Sequence, residues 1–499
     1  MTISKNKIKT FNTDVLIVGG GTNGLYLADR LKKLNKNIIL VEKGGEIANV
    51  KKNKSKNKTL PQHDGFKKNT SIGLGGNSTL WGGQLVEFDK EDFNNKSYPG
   101  IGYSEIKKYY QLVYKRFNIN HINQKDFLKK IKQKKLKIKN LVNFCTHWLN
   151  EPNFKKFFIN NIKDNNYKIW LNTEIFKLNF KNKICNFVLL KSKGKIKKIY
   201  PKVVIFCCGT FNNNQILLNH KKNSPWEKNQ NLGKFFQDHV GLFIGKIKIL
   251  DKQKFYNIFL NGFISNSKYQ PKIKSRYVIN NFNYGISGEI KTKSESFFSN
   301  LNNSLRKFFV NKNLINLINL VKVLLNKKYI WVFTKKFFYF LVHKKLLFPN
   351  NKELYFYTQS EQRINCKSKI FLSSKNKKKV DLKWILNGDE FLVIKKFIND
   401  VSNYYEKENI FKIDTKDFYK LDYQNFLKKL RDTNHSSGGL IISKDKKNGV
   451  VDKNLKIWDT KNLYIAGPSV LPKTSHANIT LTSLAFTERL ANHLTKKFY

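Results

Sequence analysis

Near the start of the chain an apolar, β-branched run from Asp14 to Val18 passes at once into Gly19-x-Gly21-x-x-Gly24. The residues that follow, Leu25, Leu27, Ala28, Leu31 and Leu34, fall at helical spacing. Strand, tight turn and helix in that order leave few folds open, because the three glycines do separate work. The first permits the turn, the second lets backbone approach a pyrophosphate, and the third lets helix and strand pack closely. A pyrophosphate then sits on the helix N-terminus, where free N–H groups and the helix dipole favour an anion. A second strand, Asn37 to Val41, ends in Glu42, eighteen residues past Gly24, where a carboxylate can accept both hydroxyls of a ribose. A dinucleotide site on an α/β domain is the expectation.

The bulk composition excludes more than it specifies. At 499 residues the chain exceeds what one hydrophobic core serves, so two domains or one elaborated α/β body are expected. A net charge of +59 invites a nucleic-acid reading, yet only 7 of the 94 basic residues are arginine, and the lysines are spread over every segment. Surfaces that read phosphate or guanine favour the bidentate fork of arginine. Solvated lysine from a compositional bias is the better account, and no nucleic-acid partner is expected. Five scattered cysteines without a Cys-x-x-Cys pair fit a reducing compartment, and no apolar export core precedes the first strand, so a cytoplasmic protein without a signal peptide is expected. Lysines interrupt the apolar stretch from Leu314 to Phe348 before it reaches membrane-spanning length. Peripheral membrane contact through it is less favoured than burial in a substrate domain.

A second glycine-rich loop, Gly73-Leu74-Gly75-Gly76-Asn77-Ser78-Thr79-Leu80-Trp81-Gly82-Gly83-Gln84, lies far beyond the first βαβ unit. Its small residues around a tryptophan let backbone approach a flat ring, which a nicotinamide enzyme does not need. At the other end stand His435-Ser436-Ser437-Gly438-Gly439 and Ser475-His476-Ala477-Asn478-Ile479-Thr480-Leu481-Thr482. Asn462 to Ala466 reads as a last buried strand broken by Gly467-Pro468. Thr480 to Leu494 reads as a helix with Thr480 as its N-cap.

With these residues the sequence resembles the glucose-methanol-choline (GMC) oxidoreductases, FAD-dependent enzymes that oxidise alcohols and sugars. Val203 to Thr210 resembles the family's strand that returns to FAD at Gly209, and Asn231-Leu232-Gly233-Lys234 with Asp238-His239 resembles its Gly-Arg-x-x-x-Asp-His segment. Glu361-Gln362, Asn365 and Ser368 to Ser373 resemble its sugar-dehydrogenase branch, and Gly449 to Asp452 with Asn462 to Gly467 resemble its C-terminal block. The chain departs from the family at Ile479, where proline is usual, at Ser436-Ser437, where Gly-Thr or Gly-Gly is usual, and at Leu80, near which covalently flavinylated relatives carry a histidine. Non-covalent FAD is therefore expected.

The resemblance implies a glutathione-reductase-type, Rossmann-like FAD domain with an inserted α+β substrate domain on an antiparallel sheet. The FAD domain is expected from 1–92, 155–245 and 430–499, and the substrate domain from 93–154 and 246–429. Helices are expected around Glu390 to Tyr405 and Leu314 to Leu325, and strands at Gly245 to Leu250, Tyr277 to Ile286, Leu354 to Thr358 and Val380 to Ile385.

FAD is expected to meet Gly19, Gly21, Gly24 and Glu42, the second loop through Gly75, Gly76, Asn77, Ser78, Trp81 and Gly82, and then Gly209, Gly467 and Thr480. The resemblance places His435 and Asn478, 43 residues apart, on the flavin, with His435 taking the hydroxyl proton and Asn478 positioning the oxygen as hydride leaves carbon. His476 is the weaker alternative to Asn478. The Asp-His segment puts His239 near FAD in a packing role. The other histidines, His63 among them, show no pairing in sequence, and no metal site is expected. The expected activity is oxidation of a CH–OH group of a sugar or sugar-like alcohol, with an unknown electron acceptor. A lipid alcohol or amino sugar as substrate, or a catalytically silent FAD-binding protein, is the alternative.

Overall fold

The computed structural model describes residues 8–51, 60–68, 70–119, 137–138, 141–162, 167–264, 267–292, 338–348, 354–376 and 378–498. Two sheets organise them. The first takes its centre from the run the sequence singled out: Val15, Leu16, Ile17 and Val18 are buried in the Lys9–Val18 strand. Such an uninterrupted apolar run suits a strand covered on both faces of a parallel sheet. Parallel partners flank it, Ile38–Val41 on one side and Lys195–Phe206 on the other. Tyr167–Trp170 and Leu463–Ile465 extend the parallel set at its two ends. Thr173–Lys181 and Ile184–Ser192 continue from the Lys195–Phe206 strand as an antiparallel meander, giving seven strands among the described residues.

The Thr22–Leu31 helix makes the first crossover and packs against the last helix, Ile479–Phe498. Polar pins fix that contact: the Asn23 amide donates to Ser483 Oγ at 2.9 Å and Thr487 Oγ1 at 2.8 Å, and Tyr26 and Arg30 both reach Glu488. The two ends of the chain thus form one body.

The second sheet has eleven strands among the described residues. Its centre is antiparallel in the order Asn261–Ile264, Ser267–Ile279, Phe282–Thr292, Leu354–Ser360, Val240–Ile249, and Leu141–Trp148 joins the Ser267–Ile279 strand. One face is apolar and covered by the Asp389–Lys407 helix, whose Val393, Phe397, Val401 and Tyr405 are fully buried, with Phe397 beside Phe356 and Tyr405 stacked on Phe411. Residues of opposite parity, Gln270, Lys272, Lys274 and Arg276, turn away from that helix toward the first body. Strand periodicity of two produces this division: one face holds the core, the other a polar wall.

Several expected elements are redrawn. The expected strand from Tyr277 to Ile286 is two strands of a hairpin, because Asn280 and Asn281 both take positive φ, at 48° and 60°, in a two-residue turn. The last helix begins at Ile479, so Thr480 lies in its first turn and Asn478 occupies the preceding position. The expected helix from Leu314 to Leu325 lies outside the described residues. None of the described helices is long and apolar enough to cross a membrane.

Candidate functional site

The first glycine loop carries the geometry its spacing requires. Gly19 has φ +106°, and a Cβ there would lie 2.8 Å from the Cys207 carbonyl oxygen; a Cβ on Gly24 would collide with the carbonyl of Gly19. Gly21 precedes the helix and supplies no side-chain cap, and the first turn contains no acidic residue to compete for the free N–H groups. Around Gly209, at φ +74°, a Cβ would meet nothing within 4 Å, and at Gly467, φ +136°, nothing nearer than 3.8 Å. An uncapped helix start beside open backbone at Gly21, Gly209 and Gly467 fits the pyrophosphate of a dinucleotide.

Glu42, at the end of the second strand, joins this loop to the next. Its carboxylate accepts the N–H of Gly20 at 2.8 Å, Gly44 at 2.8 Å and Gly73 at 3.0 Å. The Gly75 N–H donates to the Gly20 carbonyl at 2.8 Å, and a Cβ on Gly76 would stand 3.0 Å from Gly21 Cα, so the second glycine loop rests directly on the first. Ser78 Oγ ties the loop down by donating to Gly75 O and accepting from Phe154 N. Asn77 is exposed and accepts from Ser71 N, Trp81 donates its indole N–H to Pro152 O, and Gly82 abuts the Trp148 ring.

His435 and Asn478 are both only partly buried; Asn478 closes the turn at 474–478, and His435 reaches that turn through a second histidine. His239 makes the connection. Its Nε2 lies 3.1 Å from Thr474 O and 2.9 Å from Ser475 O, and its Nδ1 lies 3.0 Å from His435 Nδ1. Two carbonyl oxygens can only accept, so His239 Nε2 carries the proton. Burial holds His239 below the ordinary imidazole range, so its ring is neutral and Nδ1 offers a lone pair. His435 Nδ1 must then carry a proton and donate.

Thr433 accommodates the same assignment. Its hydroxyl lies 3.2 Å from Asp238 Oδ1, a carboxylate that can only accept, which leaves its oxygen free to accept from His435 Nδ1 at 2.8 Å. His239 thus fixes the tautomer and Thr433 accommodates it, sharing the one Nδ1 hydrogen, with His435 Nε2 unprotonated. Burial, then the neighbouring His239 and the positive charges of Lys272 and Lys291, push His435 down to about 3. A neutral imidazole with a bare nitrogen is a proton acceptor.

Asn478 faces the polar wall. Its Nδ2 donates to Gln84 Oε1 at 2.9 Å, and Gln359 Nε2 lies 3.5 Å from its Oδ1. His476, by contrast, is 2 % exposed, with its ring edge-on to Phe144 and Nδ1 3.3 Å from Asp89. Just before them Ser475 holds φ +61°, a strained setting for a side chain with a Cβ. A buried charge cluster holds it there: Ser475 N donates to Glu361 Oε1 at 2.9 Å and Ser475 Oγ to Asp92 Oδ2 at 2.5 Å, while Lys473 and Arg276 neutralise Asp92 at 3.2 and 2.7 Å.

His63 corrects the sequence expectation that it is unpaired. It is fully buried, with Nε2 2.9 Å from Asp238 Oδ2, Nδ1 3.6 Å from Asp432 Oδ2, and the Phe66 N–H donating to Nδ1 at 2.9 Å. Asp238 in turn accepts the backbone N–H of His239 and His435, and burial's upward push on it is outweighed by His63 and its neighbours, which hold it down to about 2. With Asp238 and Asp432 this histidine is spaced as a metal site would be, yet both ring nitrogens already have partners. The three residues form a buried hub under the His435 segment. Sequence spacing could not have revealed it, since its members stand at 63, 238 and 432. The alternation Gln270, Lys272, Lys274, Arg276 was the legible signal for the polar wall, masked by lysine everywhere else.

Residues 365–487, which hold His435, the strained turn and the start of the last helix, match a family model described as GMC oxidoreductase. The match covers 123 of the 499 residues, so it is the C-terminal quarter of the chain that is similar to that family. No curated protein is significantly similar to it in sequence. Among solved structures, pyridoxine 4-oxidase from Mesorbium loti is similar with a TM-score of 0.61 and 11% identity, over 97% of this chain and 99% of that one. A formate oxidase matches with a TM-score of 0.60 and 14% identity over 98% of this chain and 100% of its own. A variant of the Aspergillus oryzae RIB40 formate oxidase, studied for its effect on FAD modification, gives 0.58 and 14% over 98% and 99%. At these identities the structural likeness speaks for the fold alone, a mixed α/β architecture shared with these oxidases along nearly the whole chain.

Proposed function

We propose that the chain is a GMC oxidoreductase that binds FAD non-covalently and oxidises a CH–OH group of a sugar or sugar-like alcohol. The observation that carries the reading is a neutral His435, bare at Nε2, tied through His239 to the strained turn that ends in the Asn478 carboxamide. In the proposed assignment Gly19, Gly21 and Gly24 with the helix start at Thr22 hold the pyrophosphate, and Glu42 meets the adenosine ribose. The loop from Gly75 to Gly82, together with Gly209, Gly467 and the last helix from Ile479, surrounds the flavin. Leu80, half-exposed beside Trp81, offers no nucleophile for a covalent link, which favours the non-covalent form. The body built on the parallel sheet holds the cofactor, and the one built on the antiparallel sheet faces the substrate.

The cofactor supplies one thing, acceptance of a hydride from the substrate carbon. The chain does the rest. His435 Nε2 takes the hydroxyl proton, its own orientation fixed by His239 and Thr433. Asn478 donates to the same oxygen and stabilises the charge that grows there. Behind them stands a wall of Gln84, Gln270, Lys272, Glu289 and Gln359, hydrogen-bonded among themselves, whose polar character suits a hydroxylated substrate better than a lipid alcohol. Holoprotein held without oxygen and mixed with a panel of sugars, polyols, amino sugars and lipid alcohols tests this through flavin absorbance. Bleaching by a carbohydrate supports the reading; a flavin that stays yellow with every alcohol overturns it.

A further inference from the structure

We propose that the buried Lys272–Glu289 ion pair, acting through Gln84, dictates which way round the Asn478 carboxamide sits, so that an N–H and not a carbonyl meets the substrate oxygen. This rests on the role just assigned to Asn478. A side-chain amide has almost the same shape in its two orientations, and only its hydrogen-bond partners decide between them. Here the partners form a directed chain with charged ends.

At one end Glu289 can only accept. Burial works against its charge, but Lys272 and Lys291, at 3.2 and 2.9 Å, outweigh this and hold it down to about 2. Its Oε2 takes Gln270 Nε2 at 2.7 Å, which turns Gln270 Oε1 toward Gln84, and Gln84 Nε2 donates to it at 2.9 Å. Gln84 Oε1 is thereby sent the opposite way. There Lys272 Nζ, which can only donate while charged, meets it at 3.1 Å. Both ends impose the same sense on Gln84, and with its oxygen forward Asn478 must answer with nitrogen, at 2.9 Å. Asn478 Oδ1 is left to Gln359, and the second Nδ2 hydrogen is left for the substrate. Reversing Asn478 alone would set oxygen against oxygen; reversing Gln84 as well would set an amide nitrogen against the Lys272 ammonium.

The consequence falls on rate more than on binding. A hydroxyl accepts an N–H bond modestly in the ground state and far more strongly as it loses its proton, so a lost donor weakens the transition state selectively. Lys272, Glu289 and Gln84 are therefore positioning residues.

The test uses FAD-loaded protein and the best substrate of the anaerobic panel, with substrate concentration varied to separate the limiting rate of flavin reduction from the dissociation constant. Lys272→Met is expected to lower the limiting rate about tenfold or more, with the dissociation constant within about threefold, FAD content unchanged and flavin reoxidation unaffected. Lys272→Arg, which keeps a donor that cannot accept, is expected to restore most of the rate. Gln84→Met, which leaves the ion pair intact, is expected to show the same split and serves if Lys272→Met does not fold. A native limiting rate in whichever methionine variant folds, a loss residing wholly in the dissociation constant, or an equal loss in Lys272→Arg overturns the proposal alone. Wild-type protein whose flavin no alcohol reduces overturns the functional reading and this inference together.

Discussion

Lowering the pH from 8 to 5 separates a shielded His435 from an ordinary one. An imidazole that titrates near 6.5 is only about 3 % unprotonated at pH 5, whereas one pushed down to about 3 is about 99 % unprotonated there. If His435 is the base, the first case slows flavin reduction about 30-fold over that interval, and the second leaves it unchanged to within a few per cent. The structural cause is specific: burial, the His239 ring at 3.0 Å, and the nearby charges of Lys272 and Lys291 all oppose a proton on His435. The assay is anaerobic stopped-flow reduction at low substrate concentration, where the slope reports the free protein, with a neutral polyol or sugar so that the substrate itself does not titrate. A flat profile from pH 8 to 5 is expected. An acid limb with a midpoint between 6 and 7 would refute the account, since it would mean that the nearby Asp238 carboxylate, which favours a proton on His435, offsets burial and the neighbouring positive charges.

Further expectations follow from the same contacts. Stability should fall as pH drops from 6.5 toward 3, because His435 and His476, both pushed down to about 3, are neutral when folded and protonate when unfolded; thermal melts across that window check the sign. His63→Ala should cost about 3–5 kcal/mol by leaving Asp238 and Asp432 buried without their partner, read as a fall in the denaturant midpoint, and a change under 1 kcal/mol would argue against the hub. Gly24→Ala should yield protein with little bound flavin, since the added Cβ meets the Gly19 carbonyl; a normal ratio of flavin to protein absorbance would contradict the assignment. Phe397→Ala, behind the polar wall, should destabilise by about 3–5 kcal/mol while leaving FAD content untouched.

Local signals carried the glycine-loop end of the fold. A continuous apolar strand, three glycines and an amphipathic helix are each readable within about thirty residues, and the Lys9–Val18 strand and Thr22–Leu31 helix lie where that pattern put them. The resemblance at the C-terminal end led to the family that the match over residues 365–487 supports. The Asn280-Asn281 turn looks like strand in the sequence because alternation continues on both sides of it, and only the left-handed backbone at both residues shows the reversal.

The residues that aim the reactive groups were of another kind. His239 sat in a recognised segment, but nothing local says that its Nε2 meets two carbonyls from 235 and 236 residues away. Lys272 was one lysine among 87, and its burial against Glu289 exists only because two neighbouring strands place both on the same face. Sequence by itself determined where backbone could bend, which strands were apolar and which residue types could do the chemistry, because those properties belong to short stretches of chain. Tertiary structure alone decided which nitrogen of His435 is bare and which end of Asn478 points outward. Tautomers and amide orientations have no intrinsic preference strong enough to be written locally, and they follow from partners that folding brings together.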